Sequence, residues 1–324
     1  MKIVETISAV KELEKGCVLT IGNFDGVHVG HQEILSAAKQ IAAKLSSELV
    51  VMTFEPHPVA ILYPEKAPKV LTSLELKGEL LARCGVDRLI VLKDSVELLS
   101  LSPERFINEF LMKMVQPSVV VEGVNFNFGT GRSGSVHTLE EMGADNGFEV
   151  VVVKPKEISL STGQKVRVSS TIIRYMIESG HIADAAVALG RAYRLVGKIV
   201  PGRGKGKELG FPTLNLEEPK QIVPAEGVYA GFAEVGASFE EICQAKEKKP
   251  AVFSVGQART FGDEYPLLIE AHLLGGGVEG KSCRWMAMDF VEHLRSQHKF
   301  KSASDLSRQI EKDCERATEI LRKS

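Results

Sequence analysis

Between residues 15 and about 155, short apolar runs alternate with stretches of helical spacing, and this alternation limits the fold more than any other feature of the chain. The runs Cys17–Ile21, Leu49–Phe54, Leu89–Leu92, Ser118–Val121 and Glu149–Val153 read as strands. Between them His31–Leu45, Leu74–Cys84, Pro103–Val115 and His137–Asp145 read as helices. Such alternation predicts βαβ units around a parallel sheet, an α/β domain. Two more helices, Ser170–Ser179 and Ile182–Leu189, follow. After about residue 190 the texture changes. Tyr193–Val200, Val228–Val235, Ala251–Val255, Leu267–Leu274 and Arg284–Phe290 are bounded by glycine and rich in β-branched and aromatic residues. They predict an antiparallel sheet or small barrel. Leu306, Ile310, Cys314, Ala317 and Leu321 then mark a C-terminal helix. A length of 324 residues fits two domains, placed at 1–184 and 185–324.

The first strand-to-helix turn holds Gly22-Asn23-Phe24-Asp25-Gly26-Val27-His28-Val29-Gly30-His31. Its H-x-G-H sits where the following helix begins. A helix N-terminus offers unpaired N–H groups and partial positive charge to a phosphate. Histidines three apart share a face there and can donate to phosphate oxygens as charge moves in a transition state. A second cluster, Val168-Ser169-Ser170-Thr171-Ile172-Ile173-Arg174, opens a later helix. Ser169 or Ser170 is a good N-cap. With the first turn, it can bracket a triphosphate, Arg174 donating to the leaving pyrophosphate.

This pair of motifs resembles the nucleotidyltransferase half of the bacterial bifunctional riboflavin kinase/FAD synthetases. Two further segments match that family: Thr53-Phe54-Glu55-Pro56-His57-Pro58, and Glu122-Gly123-Val124-Asn125-Phe126-Asn127-Phe128-Gly129. The resemblance covers nearly the whole chain. It implies a Rossmann-like nucleotidyltransferase domain followed by a small β-barrel riboflavin kinase domain with a C-terminal helix. It assigns His28, His31 and Arg174 to adenylyl transfer. Gly22, Asn23, Phe24, Gly30, Ser169, Ser170 and Thr171 would hold ATP, and His57, Pro58, Asn125 and Phe128 the flavin. Gly129-Thr130-Gly131-Arg132-Ser133-Gly134 also satisfies G-x-G-x-x-G. The glycines follow Asn125–Phe128 rather than a strand, which favours a ligand-covering loop over a dinucleotide fingerprint.

In the second half, Gly202-Arg203-Gly204-Lys205-Gly206-Lys207-Glu208 runs on through Leu209 into Gly210-Phe211-Pro212-Thr213-Leu214-Asn215. The basic glycine run alone fits a solvated loop as well as a phosphate loop. Thr213 and Asn215 alternate on one side of an extended segment and can reach one Mg²⁺ or phosphate. With G-F-P-T-x-N attached, the run resembles the family's ATP and magnesium loop. That resemblance assigns Gly204, Lys205, Gly206, Lys207, Gly210, Phe211, Pro212 and Thr213 to ATP, and Thr213 and Asn215 to the metal. Glu270 stands in Leu268-Ile269-Glu270-Ala271-His272-Leu273, opposite in facing to its apolar neighbours. Read alone, it fits an outward glutamate on a half-exposed strand; in the family's E-x-H-L segment it is the catalytic base. Arg295 would contact the kinase flavin.

The kinase half departs from the family at three places: Arg259 where proline is usual, Gly275–Gly280 where L-Y-G is usual, and Gln297 where an acid is usual. The expected activity is therefore riboflavin to FMN and FMN to FAD with two ATP and Mg²⁺. A monofunctional FAD synthetase with a weakened kinase half is the alternative. The net charge of −2 argues against a general nucleic-acid binder. No apolar run approaches ~20 residues, so no membrane span is expected. Five scattered cysteines without C-x-x-C fit free thiols in the cytoplasm. The sequence offers no sign of an obligate protein partner.

Overall fold

The computed structural model describes residues 1–5, 10, 13–93, 95–202, 204–245, 247–257, 267–276 and 283–323. Arg259 and the segment 277–280 therefore lie outside the described residues. The chain divides into two compact units. One holds Met1–Lys69, Leu74–Ile158 and Val166–Ser169; the other holds Val70–Ser73, Ser159–Lys165 and Ser170–Ser324.

The first unit is built on six parallel strands: β1 (Lys2–Val4), β2 (Val18–Ile21), β3 (Leu49–Phe54), β4 (Arg88–Leu92), β5 (Val119–Gly123) and β6 (Glu149–Val153). Their order is β1-β4-β3-β2-β5-β6. The inner strands are covered on both faces, with Leu19, Val50, Val51, Ile90 and Val120 fully buried. That is why they read as continuous apolar runs rather than alternating ones. Helices α1 (Val29–Leu45), α2 (Leu74–Arg83) and α3 (Val136–Asn146) connect strands. The helix expected at Pro103–Val115 is α-helical only over Pro103–Arg105; Phe106–Val115 winds as a π-helix. Its wider turn buries Phe106, Ile107, Phe110, Leu111 and Val115. Strands β3, β4 and β1 lie to one side of β2, and β5 and β6 to the other. The strand order thus reverses between β2 and β5, and in such sheets ligands bind beyond the carboxyl ends at that reversal.

In the second unit, α4 (Ser170–Glu178) and α5 (Ile182–Leu189) precede a closed antiparallel barrel. Its strands are β7 (Tyr193–Val200), β8 (Leu214–Leu216), β9 (Gly227–Gly236), β10 (Lys249–Gln257), β11 (Leu267–Leu273) and β12 (Trp285–Arg295), in the order β7-β8-β11-β10-β9-β12. Pairing of β12 with β7 closes it. Tyr229, Phe253 and Phe290 fill the interior, ring centroids 4.9–5.3 Å apart. Helix α6 (Ala303–Leu321) completes the chain. A division at 184/185 cuts through α5. The texture changes at Gly190, which ends α5 with φ 70°, but α4 and α5 already pack with the barrel's unit. The Ile177 carbonyl accepts from Ala225 N–H at 3.2 Å.

Candidate functional site

The turn after β2 is the first site. Its Gly22 N–H donates to the Met52 carbonyl of β3 at 3.0 Å. Phe24 and Val27 take φ of 46° and 40°, and both are buried. A β-branched residue with positive φ is a strained outlier of the sort found at ligand sites. The strain carries the chain round to His28, which caps α1: its Nδ1 accepts from His31 N–H at 3.2 Å. A neutral His28 then bears its proton on Nε2. The two imidazoles stack, centroids 3.6 Å apart and 13° from parallel. Gly30 makes room for this, since a Cβ there would stand 3.2 Å from the His28 ring. Burial, His28 and Lys77 hold the His31 pKa well below the usual histidine range, so the ring is neutral at pH 7. Its Nδ1 is buried without a hydrogen-bond partner.

Asn23 joins the turn to the segment after β3. Its amide lies 2.9 Å from His57 Nε2, while His57 Nδ1 accepts from Val59 N–H and so caps the short helix Pro58–Leu62. The Asn23 atom facing His57 Nε2 is Nδ2, and Asn23 Oδ1 is buried without a hydrogen-bond partner among the described residues. His57 and Pro58 thus stand beside the turn. After β5, Asn125 is exposed, but Phe128 is only 6% exposed and packs on Phe106 and Phe126 within the core. The G-x-G-x-x-G run is a turn inside a small hairpin, Asn127–Phe128 with Gly134–Ser135, and not a strand-to-helix phosphate loop. Gly134 is required there because a Cβ would meet the Phe128 ring at 2.8 Å. Ser169 falls in the first unit, and Ser170, Thr171 and Arg174 open α4 in the second.

The second site lies on the barrel, where β8, β11 and β10 run side by side. Asn215 pairs in register with Glu270, which pairs with Ser254. As the alternation predicts, Ile269, Ala271 and Leu273 are buried and Glu270 faces the other way. Thr213 Oγ1 donates to Glu270 Oε1 at 3.3 Å, so hydroxyl, amide and carboxylate stand together. The glycine run wraps closely over them. A Cβ on Gly202 would stand 2.1 Å from Asn215 Nδ2, and one on Gly206 would stand 2.4 Å from the Phe211 carbonyl and 3.3 Å from Thr213 Oγ1. Gly204 and Gly210 have φ of 75° and 85°, and Lys205–Glu208 form a single helical turn between them. Phe211 meets His272 edge-on, and the Pro212 carbonyl lies 2.9 Å from His272 Nδ1.

Arg295 is placed differently. Its guanidinium grips Asp313 of α6 at 2.8–3.1 Å, both side chains largely buried, tying β12 to the C-terminal helix. Gln297 Nε2 donates to Ser254 Oγ at 2.9 Å, where a carboxylate would instead accept from the same hydroxyl.

Two groups at the first site escaped sequence reasoning. Glu122 is buried at the end of β5, where its Oε1 accepts from Ile21 N–H at 2.6 Å; burial raises its pKa well above the usual range. Lys77 of α2 is buried with Nζ 3.4 Å from Thr53 Oγ1. The signal for Lys77 was present: it shares the apolar face of its helix with Leu80 and Leu81, three and four residues on.

Comparison with known proteins matches two families along the chain. The FAD synthetase family matches residues 10–172 and the riboflavin kinase family residues 189–321. The bifunctional riboflavin kinase/FMN adenylyltransferase of Escherichia coli (strain K12) is 32% identical over 314 residues, covering 97% of this chain and 96% of that protein. Its counterpart in Bacillus subtilis (strain 168) is 33% identical over 315 residues, covering 95% and 93%. A crystal structure described as a macrolide-efflux protein from Streptococcus pneumoniae superposes with a TM-score of 0.83 at 27% identity, covering 97% of this chain and 98% of that one. Among the described residues no helix is long and apolar enough to cross a membrane.

Proposed function

The chain belongs to the bifunctional riboflavin kinase/FMN adenylyltransferase family, and from that premise we propose that the Gly22–His31 turn carries its adenylyl transfer and the Thr213–Asn215–Glu270 cluster its phosphoryl transfer. The enzyme phosphorylates riboflavin to FMN and then adenylylates FMN to FAD. A monofunctional FAD synthetase gives way to this reading because the riboflavin kinase family spans residues 189–321. The observation that carries the site assignment is the stacked His28–His31 pair at the start of α1, at the reversal of the parallel sheet.

The two steps ask for different chemistry. In phosphoryl transfer the riboflavin 5′-hydroxyl attacks the γ-phosphorus, its proton passes to Glu270, and ADP leaves. Mg²⁺ fits the oxygen donors of Thr213, Asn215 and Glu270, and Thr213 with Asn215 would hold it alongside the nucleotide phosphates. Bound there, it would offset the charge of the transferring phosphoryl group. Gly204, Lys205, Gly206 and Lys207 would close over ATP. In adenylyl transfer an FMN phosphate oxygen attacks the α-phosphorus and pyrophosphate leaves. That phosphate is already largely ionised at pH 7, its second pKa being about 6, so no base is needed. What the step needs is donors at the developing charge. His28 Nε2–H and the α1 N-terminus would supply them, and by the family resemblance alone Ser169, Ser170, Thr171 and Arg174 are assigned to ATP and the leaving pyrophosphate. His57, Pro58 and Asn125 would meet the flavin.

We assign adenylyl transfer to residues 1–184 and phosphoryl transfer to 185–324. The net charge of −2 and five free cysteines support a cytoplasmic enzyme that works on small molecules without nucleic acid, membrane or an obligate protein partner. The test uses flavin-stripped protein with riboflavin, ATP and Mg²⁺, following flavins by chromatography. FMN should rise and then give way to FAD. His31→Ala should stop at FMN, whereas Glu270→Gln should leave riboflavin untouched yet convert added FMN. If His31→Ala made FAD at the parent rate, the assignment of the turn would be wrong.

A further inference from the structure

Lys77 is 5% exposed, and among the described residues it is the one lysine or arginine so deeply covered. An ammonium out of water needs compensation. Here Nζ donates to Thr53 Oγ1 at 3.4 Å, and Thr53 Oγ1 donates in turn to the Asn23 carbonyl at 3.1 Å. A lysine on α2 is therefore linked through β3 to the backbone of the turn that carries His28. Asp25 of that turn and Glu55 after β3 are the carboxylates within its reach, and His31 of α1 feels its charge.

Adenylyl transfer must bring two polyanions together, and the charges here are set against it unless one is masked. Asp25 is buried in the turn proposed to receive phosphates, and the charges of Asp25 and Glu55 both act on Lys77. His31 does not offset them, since burial, His28 and Lys77 keep its ring neutral. We propose that Lys77 is a positioning residue of adenylyl transfer: its ammonium, braced through Thr53 on the Asn23 carbonyl, fixes the Gly22–His28 turn and places positive charge beneath the phosphates. The proposal rests on the assignment of that turn to adenylyl transfer. Burial pulls the Lys77 pKa down while Asp25 and Glu55 pull it up, the balance lying below the ordinary lysine value.

The test compares Lys77→Met, Thr53→Val and His31→Ala in the full chain. Each is assayed for FMN adenylylation and, as a check on folding, for riboflavin phosphorylation. Lys77→Met should lower kcat/KM for adenylylation about a hundredfold, the usual loss for one preorganised donor. Thr53→Val, which keeps the charge and breaks the brace, should lower it about tenfold, the scale of one hydrogen bond to a charged group. Riboflavin phosphorylation should be unchanged in both. Removing Lys77 takes away one cause of His31's low pKa, so a histidine NMR titration should show that pKa rise in Lys77→Met and stay put in Thr53→Val. A lysine whose charge does not reach the turn would not produce that difference. Parent-level adenylylation in Lys77→Met, with none in His31→Ala, overturns the proposal. If Lys77→Met loses both activities through misfolding, parent-level adenylylation in Thr53→Val overturns it. Full adenylylation in His31→Ala would instead bring down the assignment of the turn, and the proposal with it.

Discussion

Gly30 and Gly202 are the positions where one methyl group should separate the two activities. In Gly30→Ala the new Cβ would press on the His28 ring at 3.2 Å and displace it from its cap. The expected result is a fall of about ten- to a hundredfold in FMN adenylylation, the scale of a misplaced catalytic group, with riboflavin phosphorylation kept. Gly202→Ala should do the reverse, since its Cβ would overlap the Asn215 amide. Chromatography with riboflavin or FMN supplied reads both. What the spacing made legible is which residues stand together: a histidine pair before a helix, and Thr213 with Asn215 on one face of a strand. Lys77 was not, because its role depends on Thr53, 24 residues away and across a strand. Phe128 and Arg295 show the opposite limit. Both belong to segments matched by resemblance, yet one lies in the core and the other is held by Asp313, partners that no local pattern reveals.

Among the elements, the barrel strands are joined by a buried charge cluster. Arg194 of β7 grips Asp289 of β12 at 2.6 and 2.7 Å, Lys248 reaches the same carboxylate at 2.6 Å, and Glu234 of β9 lies 2.8 Å from the guanidinium. Burial opposes ionisation of Asp289, but Arg194 and Lys248 outweigh it and hold its pKa below the ordinary value. A carboxylate with a depressed folded pKa contributes stability above its unfolded pKa, about 3.9, and that contribution is lost as pH falls through the folded value. Glu234 works the other way, since burial raises its pKa and its contribution is lost as pH rises. Asp289→Asn should therefore cost about 3 kcal/mol near neutral pH, the usual penalty for a broken buried pair. It should also flatten the acid fall in melting temperature below about pH 4. Thermal melts from pH 3 to 7 check both. These contacts are invisible in sequence, as is closure itself, which pairs β7 with β12 some ninety residues later. The longer elements were legible: β3, β6, β7 and α5 have the predicted ends. Strands β1 and β8, three residues each, are too short to show a period. The π winding of Phe106–Val115 keeps the helical burial pattern and so reads as an ordinary helix.

At the scale of the whole molecule, the two reactions share one intermediate, FMN, while two core clusters among the described residues each lie within a single unit. The cluster around Leu19, Met52, Ile107 and Val120 draws only on the first unit, and the cluster around Val228, Val252, Leu294 and Leu321 only on the barrel's unit. Each unit keeps its own interior, so a lesion at one site should leave the other site built. That separation has a consequence in solution. His31→Ala alone should convert riboflavin to FMN and stop. Glu270→Gln alone should leave riboflavin untouched and adenylylate FMN only when it is added. An equimolar mixture should then make FAD from riboflavin, because FMN released by the first protein is the substrate of the second. The order of appearance should be FMN before FAD, with a lag that shortens as the Glu270→Gln protein is raised. A mixture that accumulates FMN without FAD would mean that the His31→Ala protein keeps its FMN bound instead of releasing it to the second protein.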